Sequence, residues 1–199
     1  MLNAILLAAG ESRRFGSPKA LAKFDDGSYV IERLVSNMLQ VDGLEITVVL
    51  GAHADQVEPL LLKHTNIRIV YNKDYNFGQT SSFQKGVAAA PENAQGFLLQ
   101  PVDCPLIKPT TLRQIMANFN ALRPRMLVPA FGGKKGHPPV FHAGLKEEII
   151  GLDAATGLNA YQKRYAAQTV LLETADEGVV LTFNTPEEFG RMQVKAASM

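Results

Sequence analysis

The sequence has 199 residues, of which 46% are hydrophobic and 20% charged, and its formal net charge is +1. This composition is ordinary for a soluble globular protein, and the length suffices for one domain with a substantial core. A nearly neutral chain provides no general electrostatic field for nucleic acid or an anionic membrane, so we expect neither as a partner.

Short apolar runs alternate with longer amphipathic segments, which predicts strands of a mostly parallel sheet connected by crossover helices. The apolar start, MLNAILLAAG, is too short for a secretory signal or a membrane span. The first half of the chain contains these predicted elements: a strand at 3–8, a helix at 29–39 capped by Ser28, a strand at 45–50, a helix at 54–63, a strand at 67–71 and a helix at 80–90.

The second half continues the alternation. Its predicted elements are a strand at 97–101, a helix at 109–120, a strand at 126–129, a loop at 132–139, a short helix at 145–150, a helix at 157–165, strands at 168–173 and 178–182, and a last helix from Pro186. The sequence shows no repeats, no low-complexity segment and no linker. We therefore expect a single α/β domain over residues 1–199.

The segment after the first strand, LAAGESRRFGSPK at 7–19, combines small residues with basic ones. Small residues at 8–10 allow a ligand to approach the backbone amides closely. Arginine grips phosphate oxygens bidentately and lysine acts as a point charge, so the segment suits a polyphosphate. It matches neither the GxGxxG fingerprint nor the Walker phosphate loop. The alternative is a solvated basic loop. The basic residues from here to Lys23 are Arg13, Arg14, Lys19 and Lys23, against the single acidic Glu11.

Asp103 follows the apolar run at 97–101. Mg²⁺ prefers oxygen ligands and bridges substrate phosphates through one or two carboxylates, so Asp103 is a candidate metal ligand. The alternative is a turn residue before Pro105. The neighbouring Cys104 is the only cysteine, and we expect it to be a small buried residue. A lone cysteine forms no internal disulfide, which indicates the reducing environment of the cytoplasm.

LAAGESRRFGSPK resembles the signature LAAGxSxRxGxxK of the nucleotidylyltransferase superfamily, and it is most similar to the molybdenum cofactor cytidylyltransferases. PVDCP at 101–105 resembles the PxDxP element of the same family. The resemblance implies a Rossmann-like three-layer αβα sandwich of the nucleotide-diphospho-sugar transferase type. It also implies Mg²⁺-dependent transfer of a nucleotidyl group from a nucleoside triphosphate to a phosphorylated acceptor, with release of pyrophosphate.

The resemblance assigns roles to individual residues. It places Leu7, Ala8 and Ala9 near the base. It makes Gly10, Arg14 and Lys19 contacts of the triphosphate, and Asp103 the ligand of Mg²⁺. The catalytic groups would then be Arg14, Lys19 and Asp103. Relatives that use GTP more often have Leu-Ala-Gly-Gly here, so Ala9 favours CTP. The implied acceptor is molybdopterin carrying molybdenum, and a molybdoenzyme would receive the product.

Two further segments resemble elements of the family. NKDYNFGQTSS at 72–82 resembles NxxYxxGxxSS, which implies nucleotide-binding roles for Asn72, Gly78, Ser81 and Ser82. The alternative is that Thr80 or Ser81 caps a helix. GGKKGHPPVF at 132–141 resembles GHPxxF, which implies that His137 contacts the acceptor, although a lone histidine in a loop is commonly structural. We assign His53, His64 and His142 structural roles.

The sequence departs from the family at two positions. Asn184 occupies the place of the second acid in an Asp-x-Asp-Thr-Pro pattern. Its amide oxygen could still coordinate Mg²⁺, or Asn184 and Thr185 could simply cap the helix that begins with Pro186. LDAATGLN at 152–159 replaces a Gly-Asp-x-Gly-Ala-Arg-like run and lacks its arginine, which weakens the case for a pterin acceptor.

Two alternative functions therefore stay open. One is a sugar-1-phosphate nucleotidylyltransferase, because the same loop signature occurs in those enzymes. The other is a non-catalytic relative that binds a nucleotide or cofactor and delivers it to a molybdoenzyme.

Overall fold

A computed structural model of the protein describes residues 1–153 and 157–197, in which the strands form one sheet between helices. The strands are β1 (Leu2–Ala8), β2 (Leu44–Leu50), β3 (Ile67–Tyr71), β4 (Gly96–Pro101), β5 (Met126–Phe131), β6 (Lys134–Lys135), β7 (Val140–His142) and β8 (Thr169–Glu173). The helices are α1 (Val30–Leu39), α2 (Ala54–Leu61), α3 (Gln79–Ala89), α4 (Pro109–Leu122), α5 (Lys146–Ile150), α6 (Gly157–Arg164) and α7 (Pro186–Ala196). None of the helices in these ranges combines the length and the apolar character that a membrane span requires.

The strand order is β3-β2-β1-β4-β7-β5-β6, and β8 also pairs with β5. The first four strands are mutually parallel, and β5 is parallel to β8. Only β6 and β7 are antiparallel to their neighbours in the described sheet. Because β7 lies antiparallel between β4 and β5, the carboxyl ends of β1 to β5 lie at the same edge. The expected α/β fold with a mostly parallel central sheet is confirmed.

The core lies on both faces of this sheet, since successive side chains of a strand point to opposite faces. Leu6 and Ala8 of β1 pack in one apolar cluster with α1, α2, α4 and α7. Ile5 and Leu7 pack in a second cluster with α3, α5 and α6. Burial on both faces explains why β1 has a continuous apolar sequence rather than an alternating one.

The strand predicted at 178–182 is wrong, because residues Glu177–Val180 form a 3-10 helix. Their backbone groups bond to other parts of the chain instead of to a neighbouring strand. The Asp176 carboxylate accepts from the Gly178 amide at 3.0 Å, and the Val179 carbonyl accepts from the His137 amide at 2.7 Å. The Cys104 thiol donates to the Gly178 carbonyl at 3.4 Å. Apolar composition alone cannot distinguish such a buried turn from a strand.

Two other local expectations are corrected. The predicted loop at 132–139 contains the short strand β6, which pairs with the end of β5, and the apolar run after it forms β7. Ser28 does not cap α1: the cap position belongs to Tyr29, whose amide donates to the Glu32 carboxylate at 3.3 Å. The Ser28 hydroxyl instead donates to Asp26. Helix ends are the least certain part of an element in a sequence.

Candidate active site

A cavity of about 410 Å³ opens where the carboxyl ends of the parallel strands meet. Open α/β sheets bind ligands at this edge. It is lined by most of the residues that the sequence singled out: Leu7, Ala8, Ala9, Gly10, Arg14, Lys19, Gly78, Ser82, Asp103 and Asn184. Asn72, Ser81 and His137 are not part of its lining. The sequence motifs that contain Gly10, Asp103 and Asn184 are far apart in the chain, and they meet in one place in the fold.

Ser12 shapes the loop that follows β1. Its backbone carbonyl accepts from the amides of Phe15 and Gly16 at 2.9 and 3.1 Å, and its hydroxyl accepts from the Lys19 amide at 3.1 Å. Ser12 has a φ of +57°, in the left-handed region that non-glycine residues rarely adopt. These bonds turn the chain back so that the Lys19 side chain reaches the cavity. Ser12 belongs to the quoted signature, but the sequence analysis did not select it.

Aromatic packing joins this loop to the segment that carries Asn184. The Phe15 ring meets the Phe183 and Phe189 rings edge-on, with centroids 5.3 and 5.9 Å apart. Phe183 and Phe189 are themselves 4.8 Å apart. Such pairs add about 0.5–1.5 kcal/mol each beyond the area they bury. The cluster therefore fixes Asn184, which follows Phe183 directly, relative to the loop.

A lysine ammonium group bridges the two candidate metal ligands. Lys19 Nζ lies 3.0 Å from Asp103 Oδ2 and 2.9 Å from Asn184 Oδ1. Arg14 Nη2 also donates to Asn184 Oδ1, at 2.8 Å. The Lys19 side chain is only 11% exposed and that of Asp103 27%, so water screens their ion pair less than a surface pair. The three residues proposed as catalytic thus share one cluster with Asn184.

The oxygen atoms of Asp103 and Asn184 suit a small divalent cation. Both point at one cation already, the Lys19 ammonium, and both border the open cavity. The described residues contain no group of three acidic, histidine or cysteine side chains that would enclose a metal. Mg²⁺ needs no such cage, because it keeps several waters and binds through one or two carboxylates together with substrate phosphates. The donor set therefore fits Mg²⁺ carried on a triphosphate.

Glu188 holds Asn184 in place. Its carboxylate accepts from the amides of Asn184 and Thr185 at 2.5 and 3.3 Å, while the Thr185 hydroxyl accepts from the Glu188 amide at 3.3 Å. This reciprocal arrangement caps α7. Thr185 is thus the cap residue, and the Asn184 side chain stays available to Lys19 and Arg14. The capping alternative and the cavity position of Asn184 are compatible.

We expect Lys19→Met to bind a free divalent cation at least about tenfold more tightly than the unchanged protein, because it removes the positive charge between the two oxygens. The measurement is titration with Mn²⁺ alone, followed by electron paramagnetic resonance. Lys23→Met is the matched control, since the Lys23 ammonium lies over the Tyr29 ring at 4.8 Å and outside the cavity lining. Unchanged or weaker Mn²⁺ binding in Lys19→Met would contradict the idea that the metal and the Lys19 ammonium occupy the same place between Asp103 and Asn184.

The 72–82 segment divides between the cavity wall and the layer behind it. Buried Asn72 donates through Nδ2 to the hydroxyl oxygens of Ser81 and Ser82, at 3.0 Å each. Gly78 and Ser82 line the cavity, whereas Asn72 and Ser81 support them from behind. Helix α3 begins after Gly78, which has a φ of +89°, so neither Thr80 nor Ser81 caps it. The Ser81 hydroxyl lies 2.9 Å from both the Gly78 and the Asp74 carbonyl oxygens.

His137 is not part of the cavity lining, although its ring is close enough for the Asp103 charge to act on it. Its backbone amide donates to Val179, and its Nδ1 atom is buried with no hydrogen-bond partner among the described residues. Burial lowers the pKa of His137 below its usual value, and the nearby Asp103 charge opposes this only in part. The side chain is therefore neutral at pH 7. Its role as an acceptor contact stays a prediction.

His53 lines the cavity, although the sequence analysis assigned it a structural role. Its Nε2 atom lies 3.3 Å from the Glu11 carbonyl oxygen. Nearby, Ala9 is only 2% exposed, and a Cβ atom built on Gly51 would lie 2.8 Å from the Ala9 methyl carbon. The Ala9 methyl group is therefore packed against the loop after β2. No motif in the sequence identified His53, because the loops after β1 and β2 meet only in the fold.

Comparisons with known proteins show which family and which fold the chain is similar to. A family model described as the MobA-like NTP transferase domain matches residues 4–170. The chain is 30% identical to nicotine blue oxidoreductase of Paenarthrobacter nicotinovorans, over 94% of each chain. It is 24% identical to molybdenum cofactor cytidylyltransferase of Escherichia coli, over 94% of this chain and 93% of that protein. A crystal structure of Rv0371c from Mycobacterium tuberculosis superimposes with a TM-score of 0.83 at 24% identity, over 98% of each chain.

Proposed function

Because this chain belongs to the MobA-like NTP transferases, a family of nucleotidyltransferases, we propose that it transfers a cytidylyl group from CTP to a phosphorylated pterin, molybdopterin carrying molybdenum. The reaction would require Mg²⁺ and release pyrophosphate. The proposed setting is the cytoplasm, where a molybdoenzyme would receive the product.

One observation carries this proposal: the convergence of Lys19, Asp103 and Asn184 at one end of an open cavity. Two oxygen donors and a buried ammonium group can together bind a metal–triphosphate complex, which contains both positive and negative charge. A simple anion site would have no use for the Asp103 carboxylate, since it would repel the ligand. The pairing therefore favours a metal–nucleotide over a free phosphate.

In the proposed reaction an acceptor phosphate oxygen attacks the α-phosphorus of the nucleotide. A new P–O bond forms, the bond between the α-phosphorus and the bridging oxygen breaks, and pyrophosphate leaves with that oxygen. A phosphate monoester is already anionic near pH 7, so the attacking oxygen needs no strong general base. Catalysis would rest on positioning and on stabilisation of negative charge.

The residues of the cavity would divide this work. Arg14 and Lys19 would orient the triphosphate oxygens, and the amides around Gly10 would approach them closely. Asp103, with Asn184, would hold Mg²⁺, which when bound supplies positive charge to the phosphates. With Mg²⁺ held by these two oxygens, the Lys19 ammonium would be available to a phosphate oxygen instead.

The choice of CTP and of a pterin rests on separate observations. CTP is favoured by Ala9 and by the name of the Escherichia coli relative. His137, on whose ring the Asp103 charge acts, is the proposed acceptor contact. The altered run at 152–159 argues against a pterin, and residues 154–156 of that run lie outside the described ranges.

A second candidate function is oxidation or reduction of a small aromatic molecule. It is favoured by the 30% identity to nicotine blue oxidoreductase over nearly the whole of both chains. Such an enzyme would need a nicotinamide or flavin cofactor in place of the triphosphate. A sugar-1-phosphate acceptor and a non-catalytic carrier are the remaining alternatives.

Thermal denaturation with each ligand tests the proposal. A ligand at 100 times its dissociation constant stabilises a protein by about 2.7 kcal/mol, which raises the midpoint of a chain this size by roughly 5–10 °C. We expect this shift with CTP and Mg²⁺ together, a smaller one with CTP alone, and none with NADPH. The same protein should release pyrophosphate when the molybdenum-loaded pterin is added.

The other outcomes separate the alternatives. A shift with NADPH but with no nucleoside triphosphate would support the oxidoreductase. Pyrophosphate release with a sugar 1-phosphate, but not with the pterin, would show that the acceptor is a sugar 1-phosphate. A shift with CTP and no release with any acceptor would support a carrier.

A further inference from the structure

His53 stands at the end of the cavity that is remote from Asp103. It follows β2, whereas Asp103 follows β4, and β1 lies between these strands. The cavity therefore extends across the strand ends, with the Lys19 cluster at one end and Ala9, His53 and Tyr75 at the other. If the triphosphate lies at the charged end, as in the proposed function on which this inference rests, the base lies near His53.

Two contacts fix the loop that carries His53. The Ala52 amide donates to the Ala9 carbonyl at 3.0 Å. Gly51 permits this approach because it lacks a side chain: a Cβ atom there would lie 2.5 Å from the Ala9 carbonyl oxygen and 2.8 Å from the Ala9 methyl carbon. The loops after β1 and β2 are thus in direct contact. His53 consequently has a defined position in the cavity wall.

The contact with Glu11 determines which nitrogen of His53 carries a proton. His53 Nε2 lies 3.3 Å from the Glu11 carbonyl oxygen, which can only accept. Nε2 must therefore be the protonated nitrogen, and in the neutral imidazole Nδ1 is left as a hydrogen-bond acceptor. Nδ1 has no hydrogen-bond partner among the described residues and is not one of their buried unsatisfied atoms. It is the free polar atom of a ring that lines the cavity.

We propose that His53 is a specificity-determining residue whose Nδ1 accepts a hydrogen bond from the exocyclic amine of the nucleotide base. Cytosine presents such an amine at N4, whereas uracil has a carbonyl oxygen at the corresponding position. Two acceptors would then face each other in a UTP complex, which leaves both without a partner. His53 therefore selects CTP over UTP, two nucleotides whose rings have the same size.

Calorimetric titration of the whole protein with CTP and UTP, both with Mg²⁺, tests this assignment. His53→Leu and His53→Phe both remove the Nδ1 acceptor, and neither side chain supplies another one. We expect the ratio of CTP to UTP affinity to fall at least about tenfold in both variants. Affinity for magnesium tripolyphosphate, which has no base, should stay unchanged. His64→Leu is the control, since His64 is not part of the cavity lining.

An unchanged ratio in both variants, or equal affinity of the unchanged protein for CTP and UTP, would overturn the assignment. Loss of tripolyphosphate affinity in the variants would also overturn it, because the effect would then not be confined to the base. The transfer reaction is tested separately by pyrophosphate release. Absence of release together with a ratio that depends on His53 would count against the proposed function and leave this assignment standing.

Discussion

Asp103→Asn is expected to reduce the rate of pyrophosphate release by about a hundredfold to a thousandfold, the range found when one preorganised charge-stabilising group is removed. The amide keeps the shape of the carboxylate but removes the charge that pairs with Lys19 and would hold Mg²⁺. Folding should change little, because the amide oxygen of Asn can still accept from Lys19 Nζ and the Asn184 oxygen continues to do so. Initial rates at several Mg²⁺ concentrations and a thermal midpoint for each protein provide the measurement.

Asp42→Asn is the matched control for this substitution. Asp42 is exposed and precedes β2, so it lies at the opposite edge of the sheet from the cavity. The Asp42→Asn variant loses the same charge at a position outside the site. Its rate of pyrophosphate release should equal that of the unchanged protein. Full activity in Asp103→Asn would remove Asp103 from the catalytic centre.

Gly178→Ala is expected to lower the free energy of unfolding by roughly 2–4 kcal/mol. A Cβ atom on Gly178 would lie 2.3 Å from the Leu106 carbonyl oxygen and 2.9 Å from a carboxylate oxygen of Asp176. The first neighbour is backbone and cannot rotate away. The clash would also disturb the contact between the Gly178 carbonyl and the Cys104 thiol. Urea denaturation followed by circular dichroism measures the loss.

Gly190→Ala serves as the comparison for this effect. Gly190 lies in α7, is exposed, and has no atom within 4 Å of the position of a new Cβ. Alanine has the higher helix propensity, so this protein should be more stable by about 0.5–1 kcal/mol. Equal stability of the two variants would mean that the 177–180 turn is not as tightly packed as the structure indicates.

The sequence predicted the fold well because its strands are apolar and its helices are amphipathic. β1 and β4 are buried along their whole length, and such runs are easily recognised. The run predicted as a strand at 178–182, GVVLT, is also largely apolar, yet Gly178 and Asp176 direct its first backbone groups away from any strand. Whether this run forms a strand or a turn depends on tertiary contacts, so sequence periodicity could not predict it.

Sequence motifs predicted the cavity residues that belong to continuous segments. They did not predict residues that reach the cavity only through contacts between distant loops. Arg14 and Lys19 belong to one signature, and both line the cavity. Asn72 belongs to another motif but is turned inward, because its amide bonds to two serine hydroxyls. His53 has no neighbouring motif and reaches the cavity only because the loops after β1 and β2 pack together.

The aromatic cluster of Phe15, Phe183 and Phe189 has a consequence for the order in which the protein acquires its site. Lys19 and Asn184 are 165 positions apart in the chain, and the rings bring their segments together. If the sheet formed before α7 docked, the loop at 7–19 and Asp103 would be in place without Asn184. The cavity would then contain only one of the two oxygen atoms that contact Lys19. Because the proposed nucleotide site uses both oxygens, we expect it to be complete only when the last helix is in place.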